Sequence, residues 1–304
     1  MRLYAGVDGG QTTTQAVIGD ERGAILGRGQ GGPANHVDEP GAEDRLRAAV
    51  AGALTQALRG AALPSATLFE GVHVALTGEV DALRSGAVRE VVRSARLTVA
   101  HDAPAAWMGA FAGEPGVVVV AGTGSVAYGR NADGDEARVG GWGYLFGDRG
   151  SAFWLAAEAL RRGLEVDDRG RATPLAGAAL EHFRVRRLAE VPAAFYRRRL
   201  TRERLASFAP VVNEMARGGD VGAGALVTEA AHALTELAFV ALERLSIRRG
   251  EVAVVGGLGG DPLIRAGMAR ELEVRGARLR EPAADPVMGA FWLALGSSVG
   301  ADGG

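Results

Sequence analysis

The sequence predicts an α/β fold in which two lobes, each with the element order βββαβα, share a cleft. Three observations predict it. Strands and helices alternate along the 304 residues, each half opens on three short strands, and a turn rich in glycine and hydroxyl side chains joins the first two strands of each half. These turns cover residues 8–14 and 122–125, and we call them the first and second hairpin turns. The repeated order indicates an internal structural duplication.

The first half begins with three short runs that predict successive antiparallel strands over residues 3–7, 16–18 and 24–26. Asp20 and Gly23 bound the turn between the second and third runs. Apolar residues recur every fourth position from Leu46 to Leu58, which predicts a helix with one buried face. The remaining elements predicted for this half are strands over 72–76 and 97–100 and helices over 43–59, 80–94 and 103–111.

The second half is predicted to start in the same way, with strands over 116–121, 126–130 and 138–140. Helices are predicted over about 151–163, 175–183, 203–217, 222–244 and 287–295, and a strand over 252–255 leads into a glycine-rich loop at 256–260. Asp261 and Asp285 each precede a proline and are predicted to cap the helices that follow. We therefore expect one domain over 1–112, joined by the C-terminal helix 286–304, and a second over 113–285.

Composition excludes several classes of protein. The chain is 47% apolar and 23% charged with a net charge of −2, which gives no electrostatic footprint for nucleic acid or an anionic membrane. It has no cysteine, which excludes disulfides, thiolate metal sites and iron–sulfur clusters, and no lysine, which excludes a Walker-type P-loop. No apolar run approaches the ~20 residues that span a bilayer. Met1-Arg2 leads directly into the first strand, so we predict a cytoplasmic protein without membrane or nucleic-acid partners.

The first hairpin turn has the composition of a phosphate cradle. Gly9 and Gly10 allow backbone N–H groups to approach a phosphate closely, and threonine hydroxyls such as Thr12 add donors. Asp8 places a negative charge where phosphate alone would be repelled, which a divalent cation between them would resolve. The alternative is an ordinary glycine-rich hairpin turn.

Other polar residues each allow a functional and a structural interpretation. Asp102 follows a strand and is the best candidate for a general base, although the common role of such a residue before Pro104 is to cap the next helix. Asp148, Asn35 and the glycines around Trp142 supply the planar hydrogen-bonding groups that hold sugars. Alternatively, Asp148 belongs to a capping turn, Asn35 to an Asx-turn and Trp142 to the core. The arginine-rich run at 197–204, which includes Arg202, is predicted to be a solvated helix face, and the isolated histidines do not form a metal-ligand set.

Taken in order, these motifs resemble the N-acetylglucosamine kinases of the BadF/BadG/BcrA/BcrD ATPase family, within the sugar kinase, heat-shock ATPase and actin superfamily. The resemblance covers essentially the whole chain and implies two ribonuclease H-like (actin-like ATPase) lobes around a nucleotide and sugar cleft. The nucleotide contacts it implies are Gly9, Gly10, Gln11, Thr12, Thr13, Gly122, Thr123, Gly124, Ser125, Gly256, Gly257, Leu258 and Gly259. The sugar contacts it implies are Asn35, His36, Thr123, Gly124, Gly141, Trp142, Gly143 and Asp148.

The resemblance also implies an activity. The chain is expected to transfer the γ-phosphate of ATP to the 6-hydroxyl of N-acetylglucosamine, with Asp102 as catalytic base and with Mg²⁺ held by Asp8 through water. Relatives are commonly dimers, so a homodimer is expected. Lobe closure would complete the phosphate site.

Two departures from the family pattern leave the substrate open. Gln11 stands where many relatives have a third glycine, and Arg149 stands where many have glutamate. An arginine at the mouth of the site would favour an acidic sugar such as N-acetylmuramate, unless it faces solvent, and the same fold also serves glucosamine. From other functional classes, an ATPase that activates a partner enzyme would need a cysteine-bound cluster, which this chain lacks, and a non-catalytic sugar sensor would not need Asp102.

Overall fold

The computed structural model describes residues 1–34, 41–78 and 80–296, and the chain divides into two compact units. Unit 1 comprises Met1–Pro115 and Glu281–Gly304, and unit 2 comprises Gly116–Arg280. The predicted sugar contacts Asn35 and His36 lie outside the described residues.

Unit 1 contains a five-stranded sheet of order β3-β2-β1-β4-β5. The strands are β1 (Leu3–Gly9), β2 (Thr14–Asp20), β3 (Ile25–Gly31), β4 (Phe69–Leu76) and β5 (Ser94–His101). The helices are α1 (Ala42–Gly60), α2 (Ala82–Val91), α3 (Asp102–Phe111) and, from the end of the chain, α11 (Pro286–Leu295). Strands β1 and β2 form the predicted antiparallel hairpin, while β4 runs parallel to both β1 and β5.

Unit 2 contains a second five-stranded sheet, of order β10-β9-β6-β7-β8. Its strands are β6 (Gly116–Ala121), β7 (Ser125–Arg130), β8 (Glu136–Gly140), β9 (Glu251–Val255) and β10 (Arg278–Arg280). Its helices are α4 (Ala152–Asp167), α5 (Pro174–Phe183), α6 (Glu190–Tyr196), α7 (Arg202–Ala206), α8 (Ala209–Arg217), α9 (Val221–Arg244) and α10 (Pro262–Val274). Read from the other edge, this sheet repeats the strand order of unit 1, so the predicted α/β fold and its duplication are confirmed.

Strand β3 is longer than the sequence predicts because three alternate glycines let a helix pack directly onto it. A Cβ added at Gly27, Gly29 or Gly31 would overlap backbone carbonyl oxygens of α1. The missing side chains hide the period-2 apolar pattern by which strands are recognised, and only the first residues of β3 therefore look like a strand. The close approach of α1 requires glycine at these positions.

Two further differences have local causes. The helix predicted over 203–217 is two helices, α7 and α8, because Pro210 lies in the first turn of α8, where its missing N–H and fixed φ favour a helix start. The helix predicted over 80–94 is shorter, and β5 already begins at Ser94. Helix α6 and strand β10 were not predicted, since both are too short for a periodic pattern to register.

Helix α9 is long and apolar enough to pass a test for a membrane span by length and composition, and it is the one helix among the described residues that does. Its most apolar window is 61% buried within the protein, and the helix contributes Leu226, Ala230 and Leu234 to the core of unit 2. Burial in that core accounts for its composition.

Candidate active site

The carboxyl ends of three parallel strands lie level in unit 1. Gly9 in β1 is in register with Leu76 in β4, which is in register with His101 in β5. Asp8 precedes Gly9, and Asp102 follows His101 as the first residue of α3. Because ligands of α/β sheets bind beyond the carboxyl ends of strands, both predicted carboxylates stand at the edge where a site is expected.

The Asp102 carboxylate is not used to cap a helix. His101 caps α3, since its Nδ1 accepts a hydrogen bond from the Ala103 N–H at 3.1 Å. The same Nδ1 lies 3.0 Å from Oδ1 of Asp102. The capping alternative for Asp102 is therefore wrong, and its carboxylate stands in the first turn of α3, where the helix dipole favours negative charge.

Negative charge accumulates around Asp8. Burial, and then the charges of Asp102 and Asp285, raise the pKa of the Asp8 carboxyl to about 7. Asp285 caps α11 as predicted, accepting from the Met288 N–H at 3.0 Å, and also pairs with Arg28. Carboxylates placed close together repel one another, and a cation between them would relieve the repulsion.

Arg84 contributes a buried positive charge that the sequence did not reveal. Its side chain is 5% exposed and donates from Nη1 to the Thr77 carbonyl oxygen, just beyond β4, at 2.9 Å. Burial lowers the pKa of Arg84, while Asp81 and Asp102 raise it, which indicates that its charge reaches the candidate base.

The first hairpin turn is held by its own backbone. The Gly10 N–H donates to the Thr13 carbonyl at 3.0 Å, and the Gly10 carbonyl accepts from Ala34. Thr14 is buried and donates its hydroxyl to the Gly32 carbonyl at 2.8 Å. By contrast, Thr12 and Thr13 are exposed, so these two hydroxyls are the ones open to a ligand.

The residues of this turn fit a divalent cation that prefers oxygen. Asp8 supplies a carboxylate with an elevated pKa, and Oε1 of Gln11 is a buried acceptor without a hydrogen-bond partner. Within the described parts of the chain no three His, Asp or Glu side chains are grouped as a metal cage. Mg²⁺ suits such a site, because it retains several waters and takes only one or two protein ligands.

In unit 2 the second hairpin turn and the 256–260 loop begin at the same level, because Val120 in β6 is in register with Val255 in β9. The turn closes on itself through the Gly122 N–H and the Gly124 carbonyl at 3.0 Å. The Gly122 carbonyl accepts from Ala152, the first residue of α4. The N-terminus of α4, with its positive dipole end, therefore supports the turn.

The 256–260 loop is bound to the end of β6. The N–H groups of Leu258 and Gly259 both donate to the Ala121 carbonyl, at 3.0 and 3.1 Å. Gly256 has φ +95°, and a Cβ there would approach the same carbonyl oxygen to 2.6 Å. Leu258 is buried, whereas Gly256 and Gly257 are exposed. Of the predicted nucleotide contacts in this loop, these two glycines offer the open surface.

Asp148 is 5% exposed and has both carboxylate oxygens engaged. Oδ1 accepts from the Ser125 N–H at 3.3 Å, and Oδ2 pairs with Nη2 of Arg202 at 2.5 Å. The helix cap of α4 is Ser151, so Asp148 does not have the capping role that its sequence context allowed. The prediction that Arg202 belongs to a solvated helix face is wrong, because this arginine pairs with a buried carboxylate 54 residues away.

The glycine-rich segment before Asp148 is exposed. Trp142 is 74% exposed, so the core alternative for its side chain is wrong. Gly141 and Gly143 have φ of +71° and +80°, conformations that favour glycine, and the Gly141 N–H donates to the Ser125 carbonyl at 3.0 Å. Gly141, Ser125 and Asp148 are thus joined directly, and Thr123 and Gly124 precede Ser125 in the turn.

The structure therefore brings the predicted residues together as two groups. Unit 1 holds the predicted base, the first hairpin turn and Asp8, and unit 2 holds the second hairpin turn, the 256–260 loop and the segment around Asp148. Sequence reasoning missed Arg84 and misassigned Arg202. No local signal marks either arginine, since each acts through groups that only the fold brings near.

The sequence matches the model of one protein family. The model of the BadF/BadG/BcrA/BcrD ATPase family matches residues 5–294. The chain belongs to this family. Membership supports ATP as a substrate.

Individual members resemble the chain over nearly its full length. An N-acetyl-D-glucosamine kinase from Dictyostelium discoideum is 27% identical over 319 residues, covering 97% of this chain and 98% of that enzyme. A crystal structure of a protein from Chromobacterium violaceum, provisionally described as an N-acetylglucosamine kinase, is 30% identical with a TM-score of 0.80, covering 97% of this chain and 99% of that one.

A third relative matches over a shorter stretch. The N-acetylmuramic acid/N-acetylglucosamine kinase of Clostridium acetobutylicum is 32% identical over 172 residues. The match covers 55% of this chain and 56% of that enzyme, so it spans about half the length of each.

Proposed function

We propose that this protein is an ATP- and Mg²⁺-dependent amino-sugar kinase that phosphorylates the 6-hydroxyl of N-acetylglucosamine. The observation that carries the proposal is the position of Asp102. Its carboxylate follows the carboxyl end of β5, does not cap α3 because His101 does so, and stands at the same sheet edge as Asp8 and the first hairpin turn. A phosphotransferase needs this pairing of a proton acceptor with a phosphate and metal site.

The relatives support the substrate class. N-acetylglucosamine occurs in the names of the enzymes from Dictyostelium discoideum and Clostridium acetobutylicum and in the description of the Chromobacterium violaceum structure. The proteins from Dictyostelium discoideum and Chromobacterium violaceum align over nearly the whole chain. The proposal therefore extends to both units rather than to a single nucleotide-binding segment.

In this mechanism the sugar's 6-hydroxyl oxygen attacks the γ-phosphorus and the bond from that phosphorus to the β–γ bridging oxygen breaks. Asp102 accepts the hydroxyl proton, and ADP leaves. Asp8 would hold Mg²⁺ through water, and the metal neutralises phosphate charge when bound. Thr12 and Thr13 donate their exposed hydroxyls to phosphate oxygens.

Unit 2 supplies the remaining groups in this proposal. Thr123 and Gly124 contact both sugar and phosphate, the Gly141–Trp142–Gly143 backbone and Asp148 hold the hexose, and Gly256 and Gly257 face the adenosine. The Ser125 N–H and Oγ are engaged with Asp148 and with the Arg149 carbonyl, so Ser125 supports the turn from behind. Asn35 and His36 complete the sugar contacts from outside the described residues.

The second candidate substrate is N-acetylmuramate. Arg149 is exposed and offers a cation close to Asp148 in sequence, which would suit the lactyl carboxylate of that sugar. Glucosamine is the third candidate. The proposal also includes a homodimer and a cytoplasmic location for the protein.

A coupled assay of ADP release tests the function. The full-length protein is incubated with ATP and Mg²⁺ and with each of five sugars in turn: N-acetylglucosamine, glucosamine, N-acetylmuramate, N-acetylmannosamine and glucose. We expect the highest kcat/KM with N-acetylglucosamine and a product phosphorylated at the 6-position by NMR. ADP release that no sugar changes would overturn the kinase proposal in favour of an ATPase of another class.

A further inference from the structure

Asp148, a predicted sugar contact, forms an ion pair with Arg202, which no predicted motif contains. Oδ2 of Asp148 lies 2.5 Å from Nη2 of Arg202, and the Asp148 side chain is almost fully buried. The inference drawn from this pair rests on the proposed function, because it takes Asp148 as a ligand of the amino sugar.

The second hairpin turn is built around this pair. A Cβ at Gly124 would approach Oδ2 of Asp148 to 2.8 Å and Nη2 of Arg202 to 3.0 Å, so a larger residue at this position would displace the pair. Ser125, the next residue, donates its N–H to the other carboxylate oxygen. The ion pair therefore lies directly against the peptide groups that the proposed function assigns to sugar and phosphate.

Arg202 is held in place from its other side as well. It lies in the first turn of α7, whose cap is Thr201, and its guanidinium carbon lies 5.4 Å from the ring centre of Tyr144 and 5.7 Å from that of Phe153. Cation–π contacts at such distances favour a fixed arginine. Nε of Arg202 is buried and has no hydrogen-bond partner. The position of the guanidinium therefore leaves one of its own donors unsatisfied.

We propose that Arg202 is a positioning residue that fixes the Asp148 carboxylate and neutralises its charge, so that the site selects an uncharged N-acylated amino sugar over a hexosamine with a free ammonium group. An isolated buried carboxylate attracts a cationic substrate, whereas a carboxylate paired with arginine does so far less. The pair still leaves acceptor lone pairs on both oxygens of Asp148, because each oxygen can accept two hydrogen bonds and the protein supplies one to each. Sugar hydroxyls can occupy the others.

Substitution of Arg202 separates charge from geometry. Arg202→Gln removes the positive charge, whereas Arg202→Lys keeps the charge but loses the planar guanidinium. Arg204→Gln is the matched control, because Arg204 lies on the same helix and bonds to His182 rather than to Asp148. For each variant, kcat and KM are measured with N-acetylglucosamine, glucosamine and ATP, and the binding of both sugars is measured by calorimetry.

We expect Arg202→Gln to lower kcat/KM for N-acetylglucosamine by about tenfold or more, mainly through the sugar KM, as loss of a partner from a buried charge pair implies. The ratio of kcat/KM for N-acetylglucosamine to that for glucosamine should fall by a similar factor, and the KM for ATP should stay within about twofold. Arg202→Lys should keep the wild-type ratio, and Arg204→Gln should match the wild type throughout.

The results distinguish failure of the inference about Arg202 from failure of the proposed function. A folded Arg202→Gln variant with an unchanged sugar ratio, or with a defect confined to ATP, overturns the inference while the kinase function stands. If Arg202→Gln fails to fold, Arg202→Lys decides: an unchanged ratio with a raised sugar KM supports the role, and wild-type constants for both sugars overturn it. A wild-type protein that neither phosphorylates nor binds any amino sugar overturns the proposed function itself. One that prefers glucosamine overturns the inference and the proposed preference for N-acetylglucosamine, while the amino-sugar kinase activity stands.

Discussion

Nδ1 of His101 accepts the Ala103 N–H and at the same time lies 3.0 Å from Oδ1 of Asp102. His101 therefore caps α3, and the neighbouring Asp102 carboxylate at the sheet edge has no capping role. Because His101 supplies the cap, an acid can stand at the first helical position, where the helix dipole favours its negative charge and at the sheet edge where ligands bind.

Replacing Asp102 with Asn is therefore expected to separate activity from stability. Asp102→Asn should lower kcat by about 10²–10⁴-fold, the range of general base catalysis. Its free energy of unfolding should change by no more than about 1 kcal/mol, because no cap is lost and the lost interaction with the α3 dipole is offset by weaker repulsion of Asp8. Steady-state kinetics and urea unfolding measure the two effects.

Asp220→Asn is the matched control for that change. Asp220 caps α9 in unit 2, accepting from the Ala223 N–H at 2.8 Å, and Asn caps helices about as well as Asp. The control should retain activity. An Asp102→Asn variant with turnover similar to that of Asp220→Asn would rule out Asp102 as the base.

Asp8→Asn should abolish Mg²⁺-dependent activity and yet stabilise the metal-free protein at high pH. The raised pKa means that the folded state holds a proton more firmly than the unfolded chain, so the Asp8 carboxyl lowers the free energy of unfolding as pH rises from about 4 to about 7. Removing the charge should raise this free energy at pH 8 by a few kcal/mol. Urea unfolding with a chelator present, at pH 8 and at pH 4, measures the difference, which should be largest at pH 8. Equal stabilisation at both pH values would contradict the origin assigned to the shift.

His73 should make unit 1 sensitive to acid. It lies in the centre of β4, is 7% exposed, and its Nε2 has no hydrogen-bond partner. Burial lowers the pKa of His73 to about 4, so the folded state disfavours the proton and this residue costs stability as pH falls from about 6.5 toward 4. At pH 5 the cost should be about 2 kcal/mol relative to pH 8.

The test compares the wild type with His73→Leu, because Asp8 titrates in the opposite sense and partly masks the effect in the wild type alone. The difference in the free energy of unfolding between the two proteins should shift in favour of the variant by about 2 kcal/mol between pH 8 and pH 5. A difference that does not vary with pH would mean that burial does not lower the pKa of His73 below its value in the unfolded chain.

Two glycines in helices of unit 1 should respond oppositely to alanine. A Cβ at Gly289 in α11 would overlap the Ala105 carbonyl oxygen of α3, whereas a Cβ at Gly86 in α2 meets nothing within 4 Å. Gly289→Ala should therefore lower the free energy of unfolding by about 1–3 kcal/mol or more through overpacking. Gly86→Ala should raise it by about 0.5–1 kcal/mol, since alanine is the better helix former. Thermal and urea unfolding of both variants measure these changes, and a stable Gly289→Ala protein would mean that α11 and α3 are not so closely packed.

The sequence predicted most of the elements but not where every strand ends. Short apolar runs identified β1, β4 and β6, because burial of a strand imposes a pattern that is visible locally. The same logic failed for β3, in which glycines at every second position replace the apolar side chains that would have marked the buried face. It also missed the break before α8, although Pro210 is a sufficient local signal.

For the candidate site, the sequence by itself determined the backbone features: the two hairpin turns and the end of β5 at His101-Asp102. Each depends on residues adjacent in the chain, whose conformational preferences act locally. Only the tertiary structure decided that Arg202 pairs with Asp148 and that Arg84 is buried within reach of the Asp102 charge. The interaction between two charges depends on the distance between them in space. The arginine-rich sequence around Arg202 contains no information about that distance.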